Sequence, residues 1–380
     1  PGDAASLFTL VGARPPTLFP ERKCVMTAIL STARLSFPFD CESPFLFAVY
    51  HLDRYPKGNA KMGPDASLTG RNIGADFGNP AGWSMYHGDK GVPGFPKHPH
   101  RGFETITITR QGLIDHTDSL GNGGRFGYGD VQWMTAGKGI SHAEMFPLLN
   151  RQSQNTLELF QVWINLPKAT KMANPSFKML WREDLPSKAF VDVKSGATAE
   201  VMLVAGALAS FDPPPSPPPD SYANLATAGV LVVTVKLAPG AAWTLPAYAG
   251  MGGTANLHRN LYHYSGSGLS VSGKAVHANV RIKVRSDADI ELRASLEAPA
   301  EVLVLQGRDI GEPIVQHGPF VGNTQADIMQ AFSDYQKDSF GRWPWESDAL
   351  VFPRERPRFA KFADGSLVEK PIPEGSAAPQ

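Results

Sequence analysis

Two short segments of the chain each carry two side chains that can bind a metal, separated by one residue. His98 and His100 form the first pair, and His142 and Glu144 form the second. In a β-strand, residues i and i+2 point to the same face and lie about 6.5–7 Å apart. If the two strands become neighbours, three imidazoles and one carboxylate can converge on one ion. Such a ligand set is typical of a catalytic first-row metal rather than of a structural zinc.

Glu104 is a second carboxylate that could take the fourth ligand position. If one strand runs on from His98, residues 98, 100 and 104 share a face. The order His98, His100, Glu104 and a later His142 is similar to the H-x-H-x3-E pattern of generic metal-binding cupins. Both carboxylates cannot bind one ion without crowding it. The residues alone therefore leave two ligand sets open, one with Glu104 and one with Glu144.

The remaining histidines lack the paired spacing. Among them His116, in the polar run from Asp115 to Ser119, is the best placed to lie near such a site. The alternative for His116 is a hydrogen-bonded histidine in a turn or in the core. In the second half of the chain, the segment where a ligand motif would stand reads WTLPAY, from Trp243 to Tyr248. We therefore expect no metal in that half.

The segments around these residues are typical of β-strands. They are rich in β-branched and aromatic residues and are bounded by turn residues. In the first half, these segments are 103–109, 130–134 and 157–164. In the second half, they are 230–237, 261–264, 269–271 and 301–306. Many short strands separated by turns predict a sandwich or small barrel, and two similar halves indicate a tandem duplication.

Three segments do not follow the strand pattern. Residues 43–93 are rich in glycine and predict a long loop or lid with short strands, and residues 213–219 (PPPSPPP) predict a stiff polyproline connector. Residues 324–337 predict a late helix capped by Asn323 or Thr324. We expect that helix to pack across a barrel through Ile328, Phe332 and Tyr335.

The composition excludes several classes of protein. Lys plus Arg and Asp plus Glu are balanced at 36 each, so charge gives no argument for binding to nucleic acid or to an anionic membrane. No apolar run is long enough to span a membrane. Cys24 and Cys41 are the only cysteines, which favours a reducing compartment. We therefore expect an intracellular protein of the cytoplasm or nucleus.

The ends of the chain are predicted to lie outside the folded domains. The chain starts at Pro1, and the mostly apolar run from Leu7 to Ala13 is short, so it is not a convincing signal peptide. Our hypothesis is that Met26 is the native start and that residues 1–25 are upstream sequence or a weak organellar leader. The basic stretch 354–358 predicts a solvated tail.

Four segments closely resemble the pirin family of bicupins. They are GFPKHPHRGFET (94–105), DVQWMTAGKGISHAEM (130–145), LELFQVWINLP (157–167) and GRDIGEPIVQHGPFV (307–321). The resemblance implies an all-β fold of two tandem cupin-type β-barrels with a few short helices. The predicted divisions are an extension that is poorly ordered or a leader (1–35), a metal-binding cupin domain (36–167), a connecting region with the Pro-rich linker (168–225), a cupin domain without metal (226–345) and a tail (346–380).

The resemblance also implies which residues bind the metal. Its iron ligands correspond to His98, His100, His142 and Glu144, with Glu144 also a candidate catalytic base. Glu104 then becomes a carboxylate that lies behind the ligands or faces the substrate, and His116 belongs to the same outer group. Iron(II) is the implied cofactor, although other divalent first-row metals suit the same ligands.

Three functions follow from this resemblance. The first is a quercetin 2,3-dioxygenase that cleaves flavonols with dioxygen and releases carbon monoxide. The second is a non-catalytic, iron-dependent redox sensor that acts as a transcriptional coregulator through a protein partner, without direct binding to nucleic acid. The third is a metal-dependent oxygenase acting on another enol or phenol. The long segment 43–93 and the N-terminal extension leave the shape of the site entrance open.

Overall fold

The computed structural model describes residues 27–373, and its regular elements are almost all β-strands. Four sheets, all with antiparallel strand pairs, form two barrels in tandem, and each barrel consists of two facing sheets. This architecture confirms the predicted all-β bicupin fold. The described residues contain no helix that is both long and apolar enough to cross a membrane.

The first barrel is built from two six-stranded sheets. Sheet I contains, in spatial order, β11 (Ser176–Leu180), β8 (Val131–Thr135), β5 (Phe103–Gln111), β10 (Asn155–Asn165), β3 (Phe45–Tyr55) and β2 (Phe39–Asp40). Sheet II contains β25 (Leu367–Lys370), β24 (Arg358–Lys361), β7 (Gly123–Gly127), β6 (Leu113–Asp118), β9 (Ile140–Met145) and β4 (Gly94–His100). The paired residues His98, His100, His142 and Glu144 therefore all lie on sheet II.

The second barrel is built from a seven-stranded and a four-stranded sheet. Sheet III contains β1 (Ile29–Arg34), β19 (Val280–Val284), β16 (Leu257–Gly266), β21 (Ala300–Arg308), β14 (Leu231–Leu237), β13 (Thr198–Ala205) and β12 (Ser187–Val191). Sheet IV contains β15 (Ala242–Leu245), β20 (Ile290–Ala294), β17 (Leu269–Val271) and β18 (Lys274–Val276). Apolar side chains from both sheets fill the space between them.

Sheet I packs against sheet III, so strands β5 and β10 are buried on both faces. Ile106 and Val162 are register partners, and they join Val232 of the second barrel in one buried cluster. Because side chains alternate along a strand, Thr107 and Gln161 point the other way, into the first barrel. This alternation separates the residues that join the barrels from those that line the first barrel.

The two ends of the described chain cross to the opposite barrel. β1 pairs with β19 of the second barrel, so the prediction that 1–35 is a poorly ordered extension or a leader is wrong for residues 29–34. The hypothetical start at Met26 and residues 1–25 lie outside the described residues. At the other end, β24 pairs with β7 and, together with β25, extends sheet II of the first barrel.

The predicted tail over 346–380 is therefore wrong for its two strands, and so is the prediction that 354–358 is solvated. Arg358 is fully buried, and its guanidinium donates to the buried carboxylate of Asp130 over 2.6 Å. Arg354 donates to the carbonyl of Leu148 over 3.1 Å. The sequence predicted solvated arginines because the buried groups that accept their hydrogen bonds, Asp130 and Leu148, lie far away along the chain.

The predicted domain boundaries also need correction. β11 belongs to the first barrel and extends it to Leu180, whereas β12 and β13 already belong to the second barrel. The junction between barrels is thus the short segment 181–186 rather than the region 168–225. Residues 213–219 follow β13 and do not link the barrels. Lys178 of β11 donates to the carbonyl of Ser216, which holds that segment against the first barrel.

The predicted loop over 43–93 is irregular only from residue 56. Residues 45–55 form β3, an 11-residue strand that lies between β2 and β10. The sequence predicted only short strands in this region, because β3 has apolar residues on both faces, which removes the simple alternation of an exposed strand. The segment 56–93 carries no further strand and runs over one end of the first barrel.

The late helix lies where the sequence placed it. Helix α1 (Gln325–Asp338) begins after Thr324, whose side chain caps the backbone N–H of Asp327 in a capping box. The helix contacts the hairpin of β22 (Val315–His317) and β23 (Phe320–Gly322) through buried Ile328. Asp334 also pairs with Arg101 of the first barrel at 2.7 Å. Two short 3-10 helices cover Tyr222–Asn224 and Ala226–Ala228.

Candidate metal centre

The antiparallel pairing of β4 with β9 brings three histidines together. His98 lies directly opposite His142, and His100 lies opposite Ile140. One side-chain nitrogen of each histidine falls within 4.8 Å of one from each of the others. The ring centroids are 4.4 Å apart for His98 and His142 and 4.8 Å for the other two pairs. These three histidines could hold a metal ion.

The hydrogen bonding of the three imidazoles fits a metal site. Within residues 27–373, neither ring nitrogen of His100 or of His142 has a hydrogen-bond partner, although both side chains are buried. His98 Nδ1 lies 2.9 Å from the carbonyl oxygen of Pro96 and therefore carries the proton, which leaves the lone pair on Nε2. Buried polar atoms without partners are costly, and a cation would satisfy them.

Burial also sets the protonation state of this cluster. Desolvation lowers the pKa of His98 to about 4 and lowers the pKa values of His100 and His142 well below their usual value. All three imidazoles are therefore neutral near pH 7, which is the form that binds metals.

Glu144 lies on the same strand face as His142, two residues further along β9. Its carboxylate accepts hydrogen bonds from Gln161 Nε2 at 2.7 Å and from Thr107 Oγ1 at 3.2 Å. Burial raises the pKa of Glu144, and these hydrogen bonds and His116 act in the opposite direction. Two side chains of sheet I thus orient this carboxylate inside the first barrel.

Thr107 and Gln161 were not identified from the sequence. The alternation of side chains along a strand could have indicated them, because they alternate with residues of β5 and β10 that face the second barrel. Their role becomes visible only when sheet I faces sheet II across the barrel.

The prediction that Glu104 lies near the metal or faces substrate is wrong. Its carboxylate accepts hydrogen bonds from Thr135 Oγ1 at 2.6 Å and from Ser221 Oγ at 2.5 Å. Its register partner Ile164 belongs to the cluster between the barrels. The chain leaves sheet II after His100 and enters sheet I. The face on which His98 and His100 lie therefore does not determine the direction in which Glu104 points. Burial at the junction of the barrels raises the pKa of Glu104 to about 7.

His116 lies opposite Glu144 in the pairing of β6 with β9, and its side chain is fully buried. Its ring centroid is 5.4 Å from that of His142, and the ring stacks on Phe177 at 5.0 Å. Nε2 lies 3.3 Å from a carboxylate oxygen of Asp118. His116 therefore both neighbours the histidine cluster and forms the kind of hydrogen bond expected of a core histidine.

An open pocket of about 500 Å³ lies beside His98. Residues of the irregular segment 56–93 form one wall, and β4 forms the other. The residues around it are Ile73, Gly74, His87, Asp89, Phe95, Pro96, Lys97 and His98. Phe95 lies at the centre of an aromatic group, with its ring 6.3 Å from His98, 5.5 Å from His87 and 5.0 Å from Tyr86. The pocket thus offers aromatic faces next to the candidate metal site.

A buried chain of hydrogen bonds fixes the aromatic wall of this pocket. The hydroxyl of Tyr86 donates to Asp53 Oδ2 at 2.6 Å, and His51 Nδ1 lies 2.7 Å from the same hydroxyl oxygen. Because the hydroxyl has one proton, His51 donates through Nδ1. Asp53 and His51 both lie on β3, so the chain attaches the segment 56–93 to sheet I.

Two antiparallel barrels in tandem, with a buried histidine cluster in the first, define the class of bicupin proteins. Residues 73–164 match the pirin family, and residues 232–341 match the pirin C-terminal cupin domain. A Pseudomonas aeruginosa protein with a provisional quercetin 2,3-dioxygenase name is 34% identical over 268 residues, which cover 70% of this chain and 85% of the relative. The chain belongs to the pirin family.

Two further comparisons support the family and the fold. Pirin-1 of Arabidopsis thaliana is 35% identical over 266 residues, covering 65% of this chain and 78% of that protein. The crystal structure of quercetin 2,3-dioxygenase from Acinetobacter baumannii aligns with a TM-score of 0.61 and 24% identity. That alignment covers 82% of this chain and 98% of the solved chain, and it shows the shared fold.

Proposed function

We propose that this protein is a metal-dependent dioxygenase that cleaves flavonols such as quercetin. The observation that carries the proposal is the cluster of His98, His100 and His142 beside an aromatic pocket, in which the ring nitrogens of His100 and His142 have no hydrogen-bond partner within residues 27–373. The quercetin 2,3-dioxygenase names of the relatives from Pseudomonas aeruginosa and Acinetobacter baumannii support the same reaction class.

The proposed ligands are the three histidines and Glu144, and iron(II) is the proposed ion. Three neutral imidazoles and one carboxylate suit iron, and they leave two coordination positions of an octahedral ion for other molecules. When bound, the metal would act as a Lewis acid and lower the pKa of a hydroxyl group that binds it.

The protein would contribute a proton acceptor and a binding surface. Glu144 is the proposed acceptor for the substrate hydroxyl proton, because its carboxylate lies on the same face of β9 as His142, inside the first barrel. Gln161 and Thr107 hold this carboxylate in one orientation. A fixed orientation removes the cost of arranging the base during the reaction.

The pocket suits a flat aromatic substrate. Phe95 presents a ring surface beside His98, and Tyr86 stacks behind it with an angle of 28° between the ring planes. A volume of about 500 Å³ lies in the range that holds a small organic ligand. Lys97 and His87 add polar groups at the rim that could contact the hydroxyls of a polyphenol.

The decisive experiment uses the full chain, stripped of metal with a chelator and reloaded with iron(II). We expect loss of quercetin absorbance together with oxygen consumption and carbon monoxide release. His142→Ala should abolish all three, and His277→Ala, which changes an exposed histidine, should leave them intact. Stoichiometric iron without oxygen consumption or quercetin loss would contradict the proposal. Oxygen consumption with another enol or phenol would instead support the third function.

A further inference from the structure

The second barrel ends in a pocket that contains a buried arginine. Arg259 on β16 and Gln306 on β21 are register partners at the end of this barrel. Leu261 and Val304, two residues further along each strand, belong to the apolar core of the barrel. Arg259 and Gln306 therefore point into the same interior, where they form a polar layer above an apolar core.

Two of the three guanidinium nitrogens of Arg259 donate hydrogen bonds that hold the group in place. Its side chain is 2% exposed. Nε donates to Gln306 Oε1 at 2.6 Å, and Nη1 donates to the carbonyl of Pro246 at 2.9 Å. Gln306 is fixed in turn, because its amide nitrogen donates to the carbonyl of Gly229 at 2.9 Å. Across residues 27–373, Nη2 has no hydrogen-bond acceptor.

No carboxylate within residues 27–373 forms an ion pair with Arg259. The carboxylates of Asp289 and Asp287 are the negative charges that raise the pKa of Arg259, and both have other hydrogen-bond partners. Asp287 is bound by Arg285 through two hydrogen bonds of 2.9 and 2.7 Å. Asp289 accepts from the backbone N–H of Ala247 at 2.7 Å. Burial lowers the pKa of Arg259 to about 10, so the group is still charged near pH 7.

The space in front of this charge is a pocket of about 540 Å³. Its walls come from residues 206–209 after β13, from the 3-10 helices and from residues 246–250. The larger apolar side chains among them are Leu208, Leu225, Val230 and Leu231. Arg259 and Gln306 also line the pocket, so the free donors of the guanidinium are reachable from it. A buried charge is costly unless it is paired with an opposite charge.

We propose that this pocket binds a small organic anion, with its carboxylate on Arg259 and its apolar body against the walls. Within residues 27–373 the N–H groups on Nη2 of Arg259 have no acceptor, and a carboxylate oxygen can accept a charge-assisted hydrogen bond from them. Among the described residues that line the pocket, Arg259 is the only charged one, and most of the others are apolar, so the pocket should select a monoanion with a hydrocarbon or aromatic body. This site is separate from the histidine cluster, because it lies inside the other barrel, and it does not depend on the proposed dioxygenase activity.

Benzoate is a suitable probe, and benzamide is its neutral counterpart of nearly the same shape. We expect calorimetric titration of the full chain to show saturable binding of benzoate and binding of benzamide at least about tenfold weaker. Because a metal can also bind carboxylates, the titration is repeated on His142→Ala protein, where benzoate binding should persist.

Three variants test the assignment to Arg259. Arg259→Gln should weaken benzoate binding at least about tenfold, while Lys274→Gln, at an exposed position of β18, should leave it unchanged. Ala207→Trp changes an exposed residue at the pocket wall and should weaken binding by obstruction, with the guanidinium intact. This variant keeps the test valid if Arg259→Gln fails to fold. Equal affinity for benzamide, no saturable benzoate binding, or binding unaffected by both Arg259→Gln and Ala207→Trp would overturn the proposal.

Discussion

His98 lies directly opposite His142 in the antiparallel pairing of β4 with β9. His100 lies on the same face of β4 as His98 and completes the three-histidine cluster, and Glu144 lies on the same face of β9 as His142. One cross-strand pair therefore organises the whole centre. A one-residue change of register would turn one strand's side chains to the other face of the sheet. The centre depends on the pairing of these strands as much as on the residues themselves.

His142→Ala should remove most of the bound metal. The substitution deletes the imidazole that lies against both of the others and leaves a cavity among buried polar atoms. Metal content of the purified protein, measured by mass spectrometry, should fall from near stoichiometric to trace. The matched control is His277→Ala, which removes an exposed histidine of the second barrel. Retention of the metal by the His142 variant would disprove the proposed ligand set.

Gln161→Leu should weaken metal binding without removing a ligand. The change deletes the 2.7 Å hydrogen bond to Glu144 and leaves the carboxylate free to rotate. Loss of such an orienting partner typically lowers metal affinity by about 10–100-fold. Competition with a chromophoric chelator measures the affinity. Gln316→Leu, at an exposed position, should behave like the wild type, and equal affinities for both variants would argue against a role of Glu144 at the metal.

Glu104→Gln should change the pH dependence of stability rather than metal binding. Burial raises the pKa of Glu104 from 4.5 to about 7, so the folded state binds a proton more tightly than the unfolded state. This contribution to stability is fully present below about pH 4.5 and is lost as pH rises through about 7. Its size is of the order of 3 kcal/mol, because one pKa unit corresponds to about 1.4 kcal/mol.

The side chain introduced by Glu104→Gln cannot ionise, so the loss over this pH window should be smaller in the variant. Urea unfolding at several pH values measures the difference in the free energy of unfolding. Glu297→Gln, at an exposed position, is the control and should keep the wild-type profile. Parallel pH profiles for Glu104→Gln and the wild type would contradict this expectation.

Arg358→Met should destabilise the attachment of the C-terminal strands. The substitution leaves the buried carboxylate of Asp130 without its ion pair of 2.6 Å, and breaking a buried pair costs about 3–5 kcal/mol. Arg356→Met breaks a pair with Glu369 in which each side chain is about one-third exposed or more, so its cost should stay below about 1 kcal/mol. Denaturant unfolding compares the two. Similar losses would show that Arg358 acts as an ordinary surface charge.

Much of the fold could be predicted because it depends on local patterns. The strand-like segments around residues 103–109 and 157–164 correspond to β5 and β10, and Thr324 caps the late helix as one of the two expected residues. β-branched and aromatic residues favour strands wherever they lie, and a cap needs only its own first turn. The ends of the chain could not be predicted, because β1 and β24 find their partners in distant segments.

The sequence by itself determined that His98, His100, His142 and Glu144 form two pairs with strand spacing, since the period of two is a property of any extended chain. The tertiary structure decided where Glu104 points. Gly102 adopts a φ of +89° between β4 and β5, and a Cβ there would lie 1.9 Å from the carbonyl oxygen of Val321. The chain passes from sheet II to sheet I at this turn, so the alternation of side chains along β4 does not continue into β5. Parity is local to one strand, whereas the assignment of strands to sheets depends on contacts across the whole molecule.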